Sequence, residues 1–393
     1  MKRKREVSPL MLGVLALSLL ALFASPALSA QEIKVGAVMP VTGRFAFAGV
    51  HINEGLEDAL MMANAEGGIH GKKIKYIMED GTYKVDVAVA AFKRIMARDK
   101  PIIMYGESTA LGKAMAPEIK DRYKVLYGST SFSSELADAR KNPYMFVSGP
   151  TYSDQLGILL QYVAKAKPGA NVAFFHSDTE FGKDPIPYGR QVCKKLGLNL
   201  VATEVAKVGG VDVASQVLDM KRKKADYVIF QGFVLSPVPA VIKQARDYGL
   251  KAKFMGTHWG THKMLLDKLG SLARDYLGVM PYAFYWQDEI PMIRKIKAWN
   301  KKHHPNVKYR PASYMQGFLT GLIFVECLKR ADEAGELNGD GLVKALRSIK
   351  NLDVGGLMAP ITVVNNKIPM GRVYKANVSK KIFEPISGWI RTE

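Results

Sequence analysis

Two short hydroxyl-rich segments carry the chemistry that this sequence offers. Residues 106–110 (GESTA) and 128–131 (GSTS) each follow a short apolar run, and the first also opens a segment with helical periodicity. Hydroxyl groups and unpaired backbone N–H groups at a helix N-terminus can bind a carboxylate without a buried cation. A serine or threonine in such a place can equally be a plain helix cap. The residues predicted to bind are Ser108, Thr109, Ala110, Ser129, Thr130 and Ser131.

Aromatic residues follow several of the predicted strands. Their position on strand-end loops, rather than on helical stripes, favours the wall of a ligand cleft over a role in the core. His258 offers one more polar contact beside them. The aromatic candidates are Phe45, Phe47, Phe181, Phe233, Trp259 and Tyr282.

Two patterns resemble enzyme motifs. Residues 106–110 resemble a nucleophile elbow with Ala110 in the last glycine place, but a hydrolase also needs an acid and a late histidine, and the last histidine, His304, lies in a charged helical pattern. His258 and His262 have i, i+4 spacing, yet no Glu stands between them and no third ligand is evident. We therefore expect no enzymatic activity, no metal and no cofactor.

The first thirty residues predict export. Four basic residues precede an apolar run from Leu10 to Phe23, and Pro26 and small residues up to Ala30 follow. The run is shorter than the roughly 20 residues of a membrane-spanning helix, and a plausible cleavage site follows it after Ser29 or Ala30. Residues 1–30 are thus predicted to be a cleaved signal peptide, and the mature protein to be periplasmic.

The distribution of charge bears on the possible partners, and the positions of the two cysteines bear on a possible disulfide. The formal net charge is +20, but the basic residues are dispersed, and an exported protein rarely meets nucleic acid. Cys193 and Cys327 each lie in an apolar helical pattern, which favours buried free thiols over a disulfide. We expect a monomer that binds a small molecule and no nucleic acid.

Strand and helix patterns alternate along most of the chain. Short β-branched runs alternate with helical segments from residue 33 to residue 129, and again from residue 153 to residue 255, which is typical of βαβ units and mainly parallel sheets. Three helical patterns then follow between residues 290 and 348, before a β-like tail. The sequence predicts two α/β halves, with a chain that returns to the first half and then to the second.

Three segments resemble the branched-chain amino-acid (Leu/Ile/Val-binding) type of periplasmic solute-binding protein. These are residues 33–43, residues 64–71 (NAEGGIHG) and residues 242–256. The resemblance covers essentially the whole mature chain. It implies the type I periplasmic-binding fold, with two doubly wound, Rossmann-like α/β lobes joined by three crossovers. Lobe one would be residues 31–148 plus 281–356, and lobe two residues 149–280 plus 357–393.

The resemblance also bears on the solute. Members of this family hold the ammonium group of an amino acid with an acid just after the strand that matches residues 254–256, where this chain has Thr257, His258 and Trp259. A buried ammonium without a counter-charge is costly. We therefore expect a carboxylic acid without an α-amino group, unless another acid turns inward. The candidate acids are Glu107, Asp178, Glu180 and Asp288.

The sequence is compatible with three functions. The first is the solute receptor of an ABC importer, which docks on a membrane permease. The second is a periplasmic ligand sensor on the same fold, and neighbouring permease and ATPase genes would separate it from the first. The third is the serine hydrolase suggested by residues 106–110.

Overall fold

The computed structural model describes residues 32–210 and 212–392. The predicted signal peptide, residues 1–30, lies outside the described residues. Within the described ranges, no helix is both long and apolar enough to cross a bilayer. The described chain forms two β-sheets, each flanked by helices.

The first sheet is entirely parallel, with strand order β2-β1-β3-β4-β5. Its strands are β1 Ile33–Met39, β2 Ile74–Asp80, β3 Ile103–Gly106, β4 Leu126–Ser129 and β5 Met145–Val147. They are connected by α1 Ala46–Ala65, α2 Val85–Arg98 and α3 Thr109–Glu118. Because βαβ crossovers are right-handed, the change of direction at β1 places α1 and α2 on opposite faces of the sheet.

The second sheet repeats this order in its parallel part, β7-β6-β8-β9-β10. Its parallel strands are β6 Asn171–Ser177, β7 Asn199–Ala206, β8 Tyr227–Gln231, β9 Lys253–Gly256 and β10 Leu277–Met280. The helices of this half are α4 Tyr152–Ala166, α5 Glu180–Lys183, α6 Ile186–Lys195, α7 Ala214–Arg222, α8 Val238–Asp247 and α9 Lys263–Leu269.

The chain returns to the first half after β10. Three helices follow, α10 Pro291–His303, α11 Ala312–Glu333 and α12 Gly339–Arg347. Helix α11 packs closely on α1 because both have glycine at the contact: a Cβ at Gly317 would lie 2.0 Å from the backbone oxygen of Ile52, and one at Gly55 would lie 2.1 Å from that of Tyr314.

The C-terminal strands complete the second sheet. Strands β11 Met370–Asn377, β12 Ile382–Pro385 and β13 Ile390–Arg391 are antiparallel to their neighbours, with β11 beside β10. The chain therefore passes between the two halves three times. The predicted α/β class, the two mainly parallel sheets and the return of the chain are confirmed. The residue-level division into two lobes stays a prediction.

Asp58 of α1 fixes the returning helices. Its carboxylate is buried and accepts hydrogen bonds from Trp299 Nε1 at 3.0 Å and from the Tyr314 hydroxyl at 2.7 Å. His304 Nε2 lies 2.8 Å away, and the guanidinium of Arg310 lies 3.6 Å away. A buried carboxylate with this many partners orients α10 and α11 on the first half.

The two cysteines lie in different hydrophobic cores. Cys327 belongs to a large core that includes the strands of the first sheet, whereas Cys193 lies in a separate cluster between α4, α6 and the second sheet. Both are buried and free.

Candidate functional site

A narrow pocket lies between the loops at the carboxyl ends of the two sheets, and its space is about 240 Å³ including the solvent-open mouth. We call it the central pocket. It lies where the strand order of each sheet changes direction, which is where α/β sheets bind ligands. The first half contributes Phe45, Tyr83, Glu107, Ser108, Thr109, Thr130 and Ser131, and the second contributes Tyr152, Phe181 and Trp259.

Four hydroxyl side chains, those of Ser108, Thr109, Thr130 and Ser131, line the pocket and form what we call the hydroxyl cluster. Ser108 caps α3, where its Oγ accepts from Leu111 N at 3.1 Å while its own O–H can still donate. Thr109 Oγ1 and Ser131 Oγ lie 2.6 Å apart. With the N-terminus of α3 beside them, these groups offer several neutral donors to an anion.

Two of the six residues predicted to bind in these segments, Ser129 and Ala110, do not line the central pocket. Ser129 is buried, and its Oγ accepts a hydrogen bond from Ser131 N at 3.1 Å, so it orients the hydroxyl cluster from behind. Ala110 lines a wider groove outside the pocket.

Aromatic rings from both halves form the rest of the wall. Phe45 stacks on Tyr83 with ring centroids 4.6 Å apart and meets Trp259 edge-on at 5.3 Å. Tyr152 and Phe181 pack at 4.8 Å, and Trp259 Nε1 donates to the Tyr152 hydroxyl at 3.3 Å. The central pocket therefore pairs a polar side with a flat apolar side.

Phe47 and Phe233 do not line the central pocket. Phe47 is 39% exposed and borders the outer groove. Phe233 is 3% exposed and packs against Phe175 at 5.8 Å in the core of the second half. A strand-end position does not fix the direction in which a side chain points.

His258 and Tyr282 also lie behind the pocket wall. The Tyr282 hydroxyl lies 3.0 Å from His258 Nε2, and the His258 ring packs edge-on against Phe132 at 4.9 Å. Burial lowers the pKa of His258 to about 3, with a smaller contribution from His262. His258 is thus a neutral residue that supports Trp259 rather than part of the pocket lining.

Glu107 is the acid that turns inward. It is 2% exposed and lines the central pocket, whereas Asp178, Glu180 and Asp288 are exposed. Burial raises the pKa of Glu107 to about 7, although a hydrogen bond from Tyr83 N at 3.4 Å lowers it. Gly81 leaves room for this carboxylate, since a Cβ there would lie 2.3 Å from Glu107 Oε2.

Sequence reasoning missed Tyr83 and Tyr152. Tyr83 follows β2, so the strand-end rule that selected the other aromatic residues would have found it. Tyr152 opens α4 directly after the chain has crossed from the first half to the second, and its contact with Phe181 depends on how the halves meet.

The enzyme-like patterns do not assemble into a site. Ser108 Oγ is bonded to Leu111 N, as in an ordinary helix cap, and the serine hydrolase alternative finds no support. His258 lies in a single 3-10 turn and His262 immediately precedes α9, so the two do not share a helix. Among residues 32–210 and 212–392, no cluster of three or more His, Cys, Asp or Glu side chains could hold a metal ion.

Two α/β halves with a shared pocket between their strand ends define a two-lobed ligand-binding protein. A model of the periplasmic binding protein family matches residues 32–381. The chain therefore belongs to the periplasmic binding protein family.

The relatives confirm the resemblance predicted from sequence. The amino acid binding protein of Pseudomonas aeruginosa is 27% identical over 245 residues, which are 62% of this chain and 65% of that protein. The Leu/Ile/Val-binding protein of Escherichia coli is 24% identical over 359 residues, covering 90% of this chain and 91% of that protein. The fold matches a branched chain amino acid ABC transporter structure from Thermus thermophilus with bound valine, at a TM-score of 0.83 and 23% identity, over 93% of this chain and 98% of that one.

Proposed function

We propose that this chain captures a small organic carboxylate in the central pocket and presents it to the membrane permease of an ABC importer. The observation that carries the proposal is the composition of the pocket: the hydroxyl cluster comes from the first half, while Tyr152, Phe181 and Trp259 come from the second. A ligand bound there contacts both halves. Its binding energy therefore favours the closed arrangement over an open one.

We further propose that the solute lacks an α-amino group. Trp259 and the neutral His258 stand where members of this family place an acid for the ammonium group. Burial raises the pKa of Glu107, so the free protein holds a carboxyl group that is readily protonated beside the hydroxyl cluster. A protonated carboxyl group donates a hydrogen bond to a carboxylate ligand.

Glu107 also supports a second candidate, an α-amino acid whose ammonium group lies against this carboxylate. The pocket-lining position of Glu107 and its burial favour that pairing if Glu107 ionises when the ligand binds. The names of the relatives from Escherichia coli and Thermus thermophilus agree with such a ligand.

The compartment and the mode of action are part of the proposal, and the family and the first thirty residues support them. We propose that residues 1–30 direct the chain to the periplasm, where it acts as a monomer by binding rather than by catalysis. Periplasmic sensing on the same fold is the alternative role. Loss of uptake of the solute when this chain is deleted, with restoration by the intact chain, distinguishes a transport receptor from a sensor.

A thermal-shift screen tests the binding proposal. The protein is first unfolded and refolded to remove any solute that co-purifies, and is then mixed with aliphatic acids, aromatic acids, α-amino acids and the amides of each. A ligand at about a hundred times its Kd stabilises the folded state by about 2.7 kcal/mol. We expect one class of acid to raise the melting temperature while its amides do not. Equal stabilisation by acids and amides, or stabilisation by no acid, would contradict the proposal.

A further inference from the structure

The central pocket opens into a larger groove between the two halves. This groove, which we call the apolar groove, encloses about 1160 Å³ including its solvent-open mouth. It shares five lining residues with the central pocket, including two of the hydroxyl cluster: Phe45, Tyr83, Ser108, Thr109 and Phe181. A molecule anchored at Ser108 and Thr109 can therefore extend from one space into the other.

Both walls of the groove are largely hydrocarbon. Phe47 and Val85 line it from the first half, and Val208, Val234 and Leu235 line it from the second. Phe47, Val85 and Val208 remain 39%, 41% and 49% exposed. Apolar side chains left in water on both sides of one cleft mark a binding surface rather than a folding core.

The two charged residues that line the groove, Arg44 and Glu180, each interact with another side chain. The Arg44 guanidinium lies over the Tyr83 ring, 5.2 Å from its centroid, at the edge of the groove. The Glu180 carboxylate accepts from Lys113 Nζ at 2.9 Å. A second groove of about 900 Å³, including its solvent-open mouth, lies beyond Phe47 and contains no member of the hydroxyl cluster. The lysine that lines this second groove, Lys263, donates to Asp267 Oδ1 at 2.9 Å.

We propose that the solute is an amphiphilic monocarboxylate, with its carboxylate at the hydroxyl cluster and its hydrocarbon tail lying along the apolar groove. This inference rests on the proposed function and adds the class of solute. The central pocket determines which head group binds, and the length of the apolar groove determines how much of the tail is removed from water.

Calorimetry with a homologous series tests the inference. Butanoate, hexanoate, octanoate and decanoate are titrated into the refolded protein below their micelle concentrations. Each methylene that enters the groove is expected to tighten binding about fourfold. An affinity that does not change with chain length would overturn the inference and leave the proposed function standing. Binding of benzoate or of an amino acid, with no binding of any alkanoate, would also overturn the inference of a hydrocarbon tail, while a carboxylate would still be captured as proposed.

Variants of exposed groove residues locate the tail without disturbing the core. The double variant Val85→Ser with Val208→Ser should weaken decanoate roughly tenfold, by removing apolar contact area, and should leave butanoate unchanged. Leu218→Ser is the matched control, since Leu218 is 50% exposed on α7 and does not line the groove. An equal loss for both acids, or no loss for decanoate, would show that the tail lies elsewhere. If no carboxylate binds the wild type at all, the proposed function itself fails.

Discussion

Lys367 Nζ lies 2.8 Å from both carboxylate oxygens of Asp154. Asp154 is in the first turn of α4, just after the chain first leaves the first half, and Lys367 stands just before β11, where it leaves that half for the last time. The Asp154 carboxylate also accepts from Thr151 N at 2.8 Å and from Thr392 Oγ1 at 2.7 Å. One buried carboxylate thus ties together two of the three crossings and the C-terminal strand.

Asp154→Ala should destabilise the protein strongly. It removes the buried ion pair with Lys367 and the hydrogen bonds from Thr151 and Thr392, and breaking a buried ion pair typically costs about 3–5 kcal/mol. Urea unfolding followed by circular dichroism measures the loss. Asp247→Ala is the control, because its pair with Lys243 is exposed on both sides and should contribute less than about 1 kcal/mol. Similar unfolding midpoints for the two variants would contradict this role of Asp154.

Much of the fold was predictable because its signals are local. Central strands such as β1, β6 and β8 are largely buried and rich in β-branched and other apolar residues, and the helices between the strands show apolar periodicity. Strands β5 and β10 and helix α9 were not predicted. They are only three, four and seven residues long, so their structure depends on pairing and packing with distant segments rather than on their own pattern.

Asp184 is expected to stabilise the closed form without touching the solute. This residue of the second half accepts from Ser133 Oγ at 2.5 Å and from Ser134 N at 3.2 Å, both of which follow β4 in the first half. Because these hydrogen bonds join the two halves, Asp184→Ala removes them from the closed form and leaves an open form unaffected. We expect calorimetry to show roughly tenfold weaker solute binding.

Lys113→Ala provides the comparison for Asp184. Lys113 pairs with Glu180 across the same cleft, but Glu180 is exposed, so the pair is screened by solvent and the loss should be no more than a few-fold. If Asp184→Ala binds as tightly as the wild type, the contact does not contribute to closure.

Glu107 should make binding depend on pH. Burial raises its pKa to about 7 in the arrangement that the structure describes, and a carboxylate bound beside it raises that pKa further. Binding of an acid without an amino group therefore takes up a proton, and the affinity should fall as the pH rises through about 7, by at most about tenfold per pH unit. Asp80 is the acid whose charge also raises the Glu107 pKa, and burial raises the pKa of Tyr83 to about 12, so Tyr83 stays neutral over this range.

The sign of that dependence separates the two candidate solutes. An ammonium group against Glu107 would lower its pKa, and the affinity would then rise with pH up to about 7. Calorimetry across neutral pH measures the sign. Glu107→Gln should abolish the dependence, and a dependence that survives this substitution would assign it to another group.

The thiols should be inaccessible in the native protein. Cys193 is 1% exposed and Cys327 is fully buried, and burial raises the pKa of Cys193 to about 11 and that of Cys327 still further. A thiol reagent should therefore react slowly with the native protein, and with both cysteines once the unreduced protein is denatured. Absence of free thiols after denaturation would show that the cysteines are bonded.

The site was predictable where it follows strand ends and unpredictable where it depends on the meeting of the halves. Residues 106–110 and 128–131 were predicted because helix starts and strand ends have recognisable residues, and the structure brings residues of both segments to the central pocket. The inward direction of Glu107 and the outward placement of Phe47 required the structure, since neighbouring loop residues can point either way.

The hydroxyl cluster is the proposed anchor of the solute, and calorimetry on Thr130→Ala tests this role directly. Thr130 is 2% exposed and lines the central pocket, so the loss of its hydroxyl should weaken the acid identified by the thermal-shift screen by about 1–3 kcal/mol. Ser148→Ala is the control, because the Ser148 hydroxyl is equally buried but bonds to Thr320 outside the pocket. We predict weaker binding for Thr130→Ala and wild-type affinity for Ser148→Ala. Wild-type affinity in both variants would place the carboxylate away from the hydroxyl cluster and contradict the account.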